Sequence, residues 1–137
     1  MSSFPKDLFD AAQKVRANAH APYSKCKVGA AVRTKSGHVH IGCNVENSSF
    51  PCGSCAEAVA INSAVAAEGK IEIAEVLIVT DASPPWAPCG QCRQIIAEFG
   101  SNAGSDPQVH LVSTNGAGRT TSLSALLPGA FTPKDMK

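Results

Sequence analysis

Aromatic residues and excess charge are both scarce in this sequence of 137 residues. It contains one Trp, one Tyr and five Phe, too few for the row of rings on which single-stranded nucleic acids stack. The 12 Lys and Arg residues against 11 Asp and Glu give a net charge of +1, far from the basic excess that neutralises phosphates. We therefore expect no nucleic acid partner.

Long apolar runs are also missing. No segment approaches the roughly 18–20 apolar residues of a membrane helix, so no membrane partner is expected. Residues 1–7 lack the basic start and apolar stretch of a signal peptide, which favours a cytoplasmic protein. In that reducing compartment, clustered cysteines are more typical of metal or redox chemistry than of structural disulfides. The sequence has six: Cys26, Cys43, Cys52, Cys55, Cys89 and Cys92.

Length and patterning predict a single α/β domain over residues 1–137. Hydrophobic residues make up 44% of the sequence and charged residues 17%, as in globular proteins with one core. Hydrophobic periodicity and turn residues predict helices over 5–19, 54–68, 89–99 and 123–127, and strands over 27–34, 38–44, 74–80, 108–114 and 120–121. Several helices begin just after loops, so their N-termini can point at a ligand.

Two similar segments carry the candidate chemistry, PCGSCAE at 51–57 and PCGQCRQ at 88–94. The second places Cys89 and Cys92 one turn apart at a helix start, where the dipole favours thiolates. Cys55 opens another helix and can supply a third ligand. Three protein ligands leave one position of a tetrahedral Zn²⁺ for water, as catalytic zinc requires.

Glu57 follows Cys55 by two positions, close enough to exchange protons with a metal-bound water. Zinc enzymes that deaminate bases carry His or Cys, one residue, then Glu, and later Pro-Cys-x-x-Cys. The same pattern is present here. It predicts a Zn²⁺ ion held by Cys55, Cys89 and Cys92, with Glu57 as the catalytic proton shuttle in the deamination of a cytosine-type base.

Other interpretations of these segments remain open at this point. Both Cys-x-x-Cys pairs, Cys52 included, can form a structural zinc site, although the 33 residues between the pairs exceed the roughly 15–20 of common zinc ribbons. Either pair alone can be a redox pair. Ser54 and Glu57 match a helix capping box, which Glu57 cannot complete while also facing a metal. An inactive interaction protein with a deaminase fold is a further class.

Over nearly its whole length the chain resembles the small homotetrameric cytidine deaminases. The resemblance is carried by APYSK at 21–25, VGAA at 28–31, NVEN at 44–47, CAE at 55–57, PCGQCRQ at 88–94 and LLPGAF at 126–131.

The resemblance implies a three-layer α/β/α fold with a five-stranded mixed sheet and a homotetramer whose active sites lie at subunit interfaces. It further implies that Asn44 and Glu46 hold a ribose hydroxyl, that the backbone near Ala56 meets the pyrimidine, and that Phe131 completes a neighbouring subunit's pocket. An amide and a carboxylate two residues apart share one face and offer both donor and acceptor to a hydroxyl. The plainer alternative for the pair is an ordinary polar turn.

The chain departs from the family pattern at Ala58, where an Arg usually follows the catalytic Glu and hydrogen-bonds the thiolates. Three thiolates on Zn²⁺ leave a formal charge of −1, which makes the bound water less acidic. Either another donor substitutes for the missing Arg, with Arg33, Arg93 and Gln94 as candidates, or the water keeps a higher pKa and turnover is slower.

The second departure is Cys26, where the family generally has a Phe that lines the pyrimidine pocket. The smaller side chain leaves room for a substituted base. Blasticidin S deaminase also lacks the Arg, but the retention of Asn44 and Glu46 favours a nucleoside over that antibiotic. We therefore expect zinc-dependent deamination of cytidine, deoxycytidine or substituted cytidines to the uridine products and ammonia, in pyrimidine salvage.

Overall fold

Five β-strands form one sheet in the computed structural model, which describes residues 4–100 and 104–136. The helices are α1 (Lys6–Arg16), α2 (Ala56–Glu68), α3 (Gly90–Phe99) and α4 (Leu123–Leu126). The strands are β1 (Gly29–Thr34), β2 (Val39–Cys43), β3 (Ile73–Thr80), β4 (Gln108–Ser113) and β5 (Gly118–Ser122). None of the helices within the described ranges has the length and apolar character needed to cross a bilayer.

The strand order is β2-β1-β3-β4-β5. β3 and β4 are parallel, and the other neighbours are antiparallel. A parallel pair needs a crossover connection, which α3 supplies here. β5 is longer than the predicted 120–121 because it pairs along most of β4. The α/β fold class and the five-stranded mixed sheet expected from the sequence are confirmed.

Side chains on the two faces of the sheet belong to two separate cores. Val32 and Ile78 face the layer formed by α2 and α3. Ala31 and Leu77, one position away on the same strands, face α1 and pack with its Leu8. This alternation follows from the two-residue period of a strand, and it produces the three layers that the resemblance implies.

Three chain segments that are distant in sequence meet at one end of the strands of the sheet. Gly29, at the start of β1, pairs with Cys43 at the end of β2 and with Val79 near the end of β3. The residues that enter β1 and those that leave β2 and β3 therefore meet at the same place. The candidate site is formed there.

Helix α2 begins two residues later than predicted. Ser54 is paired with Val45 through two backbone hydrogen bonds of 2.9 Å, so its backbone belongs to an extended bridge. Cys55 is consequently the N-cap and Ala56 the first helical residue. Helix α1 ends at Arg16 instead of residue 19.

Gly42 allows α2 to lie against β2. A Cβ atom at this position would be 2.3 Å from the backbone nitrogen of Ala60 and 2.5 Å from the carbonyl oxygen of Ala56. Both contacts are to backbone atoms that cannot move without moving the helix. The absence of a side chain at Gly42 therefore fixes the position of the first turn of α2, which carries the first cysteine motif.

Candidate active site

Two helices begin at cysteines that face one another. Cys55 is the N-cap of α2 and Cys89 the N-cap of α3, and neither side chain caps its helix. Cys92, in the first turn of α3, is buried. The three Sγ atoms lie within 4.8 Å of one another. The free backbone N–H groups and positive dipole ends of both helices favour thiolates at this point.

The cluster fits a tetrahedral zinc site. Zn–S bonds of about 2.3 Å place tetrahedral sulfurs roughly 3.8 Å apart, so the observed spacing needs little adjustment. Cys52 is exposed and lies outside the cluster. The geometry therefore favours three cysteine ligands with an open fourth position over a closed four-cysteine site.

The thiols interact with one another directly. The hydrogen bond with Cys92 lowers the pKa of Cys55 to about 6, against the opposing effects of burial and the Glu57 carboxylate. The same hydrogen bond raises the pKa of Cys92. A thiolate at Cys55 near neutral pH is a starting point for binding a cation, whose charge then favours deprotonation of the other thiols.

Glu57 is the second residue of α2 and is only 5% exposed. Burial raises the pKa of its carboxyl group, opposed by hydrogen bonds from its own backbone N–H and from Cys92. Because Cys55 is the N-cap, the alternative capping box between Ser54 and Glu57 is excluded. A carboxyl whose pKa moves toward neutrality is suited to accept a proton and then release it.

Cys55, Cys89 and Glu57 line a cleft of about 240 Å³ together with several other residues predicted from the sequence. Cys26, Asn44 and Ala56 all line it, whereas Phe131 does not and is 57% exposed. The other lining residues are Ser24, Val28, Ile78, Thr80, Trp86, Ala87 and Pro88.

Asn44 fixes the segment that enters β1. Its Oδ1 accepts a hydrogen bond from the Val28 backbone N–H at 2.8 Å, and its Nδ2 donates to the Cys26 carbonyl at 2.7 Å. One N–H and one lone pair of the amide remain for a ligand in the cleft.

Glu46 lines an adjoining hollow of about 400 Å³, to which Ser24 also belongs. Its carboxylate accepts hydrogen bonds from the Tyr23 and Ser24 backbone N–H groups at 3.0 and 3.1 Å and from the Ser24 hydroxyl. The hydroxyl contact is the main cause that lowers the pKa of Glu46. Glu46 is therefore ionised at neutral pH and can still accept from a further hydroxyl.

Nothing in the described contacts shows a substitute for the Arg that is absent at Ala58. Arg33 pairs with acidic residues of α1 and β3 at 2.9 Å. Arg93 donates to backbone carbonyls at 2.8 and 2.7 Å, and Gln94 donates to the Phe131 carbonyl at 3.2 Å. Among the described contacts, the first of the two alternatives, a direct contact of Arg33, Arg93 or Gln94 with the thiols, therefore has no support. The two helix N-termini place positive partial charge at the cluster.

Three of the seven lining residues that sequence reasoning did not single out carry a hydroxyl or an aromatic ring. Ser24 belongs to both the cleft and the adjoining hollow. Thr80 is 2% exposed at the end of β3, and Trp86 lies three positions before Cys89. The proximity of Trp86 to the second cysteine motif in the sequence could have indicated that it lies near the site. The presence of Thr80 in the cleft could not be predicted in this way, because it depends on how β3 pairs within the sheet.

A family model described as the cytidine and deoxycytidylate deaminase zinc-binding region matches residues 2–104. The chain belongs to this family. A cytidine deaminase of Sporosarcina psychrophila is 41% identical over 129 residues, which cover 94% of this chain and 92% of the relative. One of Halalkalibacterium halodurans is 40% identical, with 94% and 95% covered.

Solved structures of the deaminase family agree with these sequence relatives. A crystal structure of cytidine deaminase from Burkholderia pseudomallei has a TM-score of 0.85 and 42% identity, covering 96% of this chain and 100% of that one. One from Mycobacterium tuberculosis has a TM-score of 0.74 and 32% identity, with 92% and 95% covered. These comparisons confirm the predicted family and the prediction that the protein is a hydrolase. They also confirm Zn²⁺ as its cofactor, for which the cluster of Cys55, Cys89 and Cys92 is suited.

Proposed function

We propose that the protein hydrolytically deaminates cytidine and deoxycytidine to uridine, deoxyuridine and ammonia. The observation that carries this proposal is a cluster of three thiols, within 4.8 Å of one another, beside a cleft that is lined by Cys55, Cys89 and the buried Glu57 carboxyl group. The cytidine deaminases of similar sequence and structure support the choice of base.

Glu57 moves the protons of the reaction. When bound at Cys55, Cys89 and Cys92, Zn²⁺ supplies an acidified water in its open position. The Glu57 carboxylate accepts a proton from the attacking water and delivers it to N3 of the pyrimidine. Glu57 then transfers the remaining proton of the attacking oxygen to the exocyclic amine. The bond from C4 to nitrogen breaks, ammonia leaves, and the oxygen becomes the C4 carbonyl of the uridine product.

Asn44 and Glu46 are proposed to bind the sugar. Both retain hydrogen-bonding capacity, and Ser24 connects the hollow at Glu46 to the cleft at Asn44. With the base directed at the thiols, a ribose or deoxyribose would extend toward this junction. Ala56 and Cys26 are the proposed neighbours of the base, and the small Cys26 side chain leaves space for a substituent.

The assembly is proposed to be a homotetramer, acting in the cytoplasm in pyrimidine salvage through a single domain. Its active sites would lie at subunit interfaces, with Phe131 reaching a neighbouring cleft. Exposed aromatic side chains support an interface: Phe50 is 75% exposed, Phe131 57% and Tyr23 50%. Such exposure is typical of surfaces that bury apolar area on association.

The proposal is tested by ammonia release from the zinc-loaded protein with cytidine, deoxycytidine, N4- and 5-substituted cytidines and blasticidin S. Cytidine and deoxycytidine should be turned over. Release from blasticidin S alone would replace the nucleoside with the antibiotic as the substrate.

Glu57→Gln is the matched variant for this assay, because it removes the proton shuttle while keeping the size of a buried side chain. It should retain zinc and the thermal transition but lose activity by about 100-fold or more. Activity within a few-fold of the unmodified protein would contradict the role given to Glu57.

A further inference from the structure

Trp86 is the single tryptophan of the sequence, and the structure places it at the candidate active site. It lines the cleft that contains Glu57 and the thiols of Cys55 and Cys89. Among the described residues that line this cleft, it carries the one aromatic ring. It is nevertheless 49% exposed, so much of the indole is available for contact.

The backbone around Trp86 is fixed on both sides. Its N–H donates to the hydroxyl of Thr80 at 3.4 Å, and Thr80 is 2% exposed at the end of β3. Two residues further on, the Pro88 carbonyl accepts a hydrogen bond from Arg93 at 2.8 Å. Three residues span at most about 10 Å, so the Trp86 backbone stays close to the Cys89 sulfur.

The other apolar lining residues cannot provide a stacking surface. Cys26, Val28 and Ile78 have no π-system, and the backbone of the first two is held by Asn44. A planar base that presents C4 to the thiol cluster must lie within a few ångströms of it. Within one chain, Trp86 is the described lining side chain that can pack its face against that of such a ring.

We propose that Trp86 is a base-binding residue whose indole packs against the pyrimidine of the nucleoside substrate and holds it beside Glu57. This proposal rests on the proposed function for the identity of the ligand. It assigns the aromatic contact in the base pocket to the loop before the second cysteine motif, whereas the segment that enters β1 lines the cleft with Ser24, Cys26 and Val28, none of which is aromatic.

Intrinsic fluorescence tests the contact directly, because all tryptophan emission comes from this one residue. Uridine added to the zinc-loaded protein should change the emission, with saturation at the concentration that inhibits cytidine turnover. Free ribose at the same concentrations should leave the emission unchanged. If uridine inhibits but the emission does not change, or if ribose changes it equally, the base contact is refuted.

Steady-state kinetics test the strength of the contact between Trp86 and the base. Trp86→Ala should raise KM for cytidine about 5- to 100-fold with kcat within a few-fold, because stacking acts on bound substrate and transition state alike. Trp86→Phe should restore most of the loss. Ile41→Ala, which shortens an exposed side chain outside the cleft, should leave KM unchanged. An unchanged KM in folded, zinc-loaded Trp86→Ala would overturn the proposal.

The two proposals fail in different ways. If the unmodified protein releases no ammonia from any cytosine nucleoside, the proposed function is wrong, whatever Trp86 does. If it releases ammonia while Trp86→Ala matches its KM and uridine leaves the fluorescence unchanged, the function stands and the inference on Trp86 is wrong. A Trp86→Ala protein that loses its oligomeric state with no change in KM would assign the residue to a subunit contact, against the proposal.

Discussion

Gly42→Ala should damage the active site indirectly. The added Cβ clashes with the backbone of α2 and not with Glu57, so it acts by moving the helix that carries Glu57. The added Cβ would lie 2.3 Å from the Ala60 nitrogen and 2.5 Å from the Ala56 oxygen, whereas ordinary contact begins near 3.4 Å. The first turn of α2 must therefore move away from β2 by about 1 Å. Overpacking of this kind costs about 1–3 kcal/mol in unfolding free energy, or about 3–10 °C in Tm for a domain of this size.

The same movement separates the two halves of the site. Cys55 and Glu57 belong to the start of α2, whereas Cys89 and Cys92 belong to α3. A misplacement of about 1 Å can cost about 100-fold in rate. We expect kcat/KM for cytidine to fall by roughly that factor in Gly42→Ala, measured by ammonia release well below its Tm, with weaker zinc retention against a chelator.

Gly118→Ala is the matched control. Its Cβ would lie 2.3 Å from the Leu111 carbonyl oxygen, an equally severe clash, but it belongs to β5, which contributes no described residue to the cleft. It should lose stability while keeping kcat/KM. Equal activity losses in the two variants, or a folded Gly42→Ala with kcat/KM within about threefold of the unmodified protein, would refute the reasoning.

Two further predictions concern the metal and an ion pair distant from it. Cys52→Ser should keep one zinc per chain by elemental analysis and Cys89→Ser should lose it, since Cys52 lies outside the cluster; zinc loss in Cys52→Ser would support the four-cysteine site. Hydrogen bonds from Ser36 and His40 lower the pKa of Glu68 from its ordinary 4.5 to about 2. The stabilisation of the folded state by ionised Glu68 is complete above the ordinary pKa and is lost as pH falls toward 2. Glu68→Gln should therefore lower the denaturant midpoint at neutral pH, and the difference in midpoint between the variant and the unmodified protein should narrow below pH 4.5. A difference independent of pH would rule out the carboxylate as its source.

Local patterns in the sequence predicted the element types well and their ends less well. The periodicity that predicts α2 and α3 depends on neighbouring residues along the helix, so it can be read without knowing the fold. The start of α2 could not, because Ser54 is withdrawn from the helix by pairing with Val45, a partner set by the path of the chain after β2. The five-stranded mixed sheet was likewise inferred from resemblance and not from pattern, and the order of its strands comes from the structure alone.

The sequence by itself determined the chemistry of the site. Cys89 and Cys92 lie one helical turn apart, and Glu57 follows Cys55 by two positions; these short spacings place thiols and carboxyl whatever the rest of the chain does. They were enough to predict zinc and proton transfer. The family comparison confirms the zinc, and the catalytic role of Glu57 stays a prediction.

Only the tertiary structure decided how the two motifs meet. The cluster closes because α2 and α3 pack on the same face of the sheet, with Gly42 admitting the first helix close to β2. The tertiary structure also decided that Arg93 donates its hydrogen bonds to backbone carbonyls instead of the thiols. It placed Trp86 at the cleft, where its backbone N–H donates to Thr80. The spacing of Trp86 from Cys89 places it near the motif, but which partners these residues contact depends on the packing of segments that are distant in sequence.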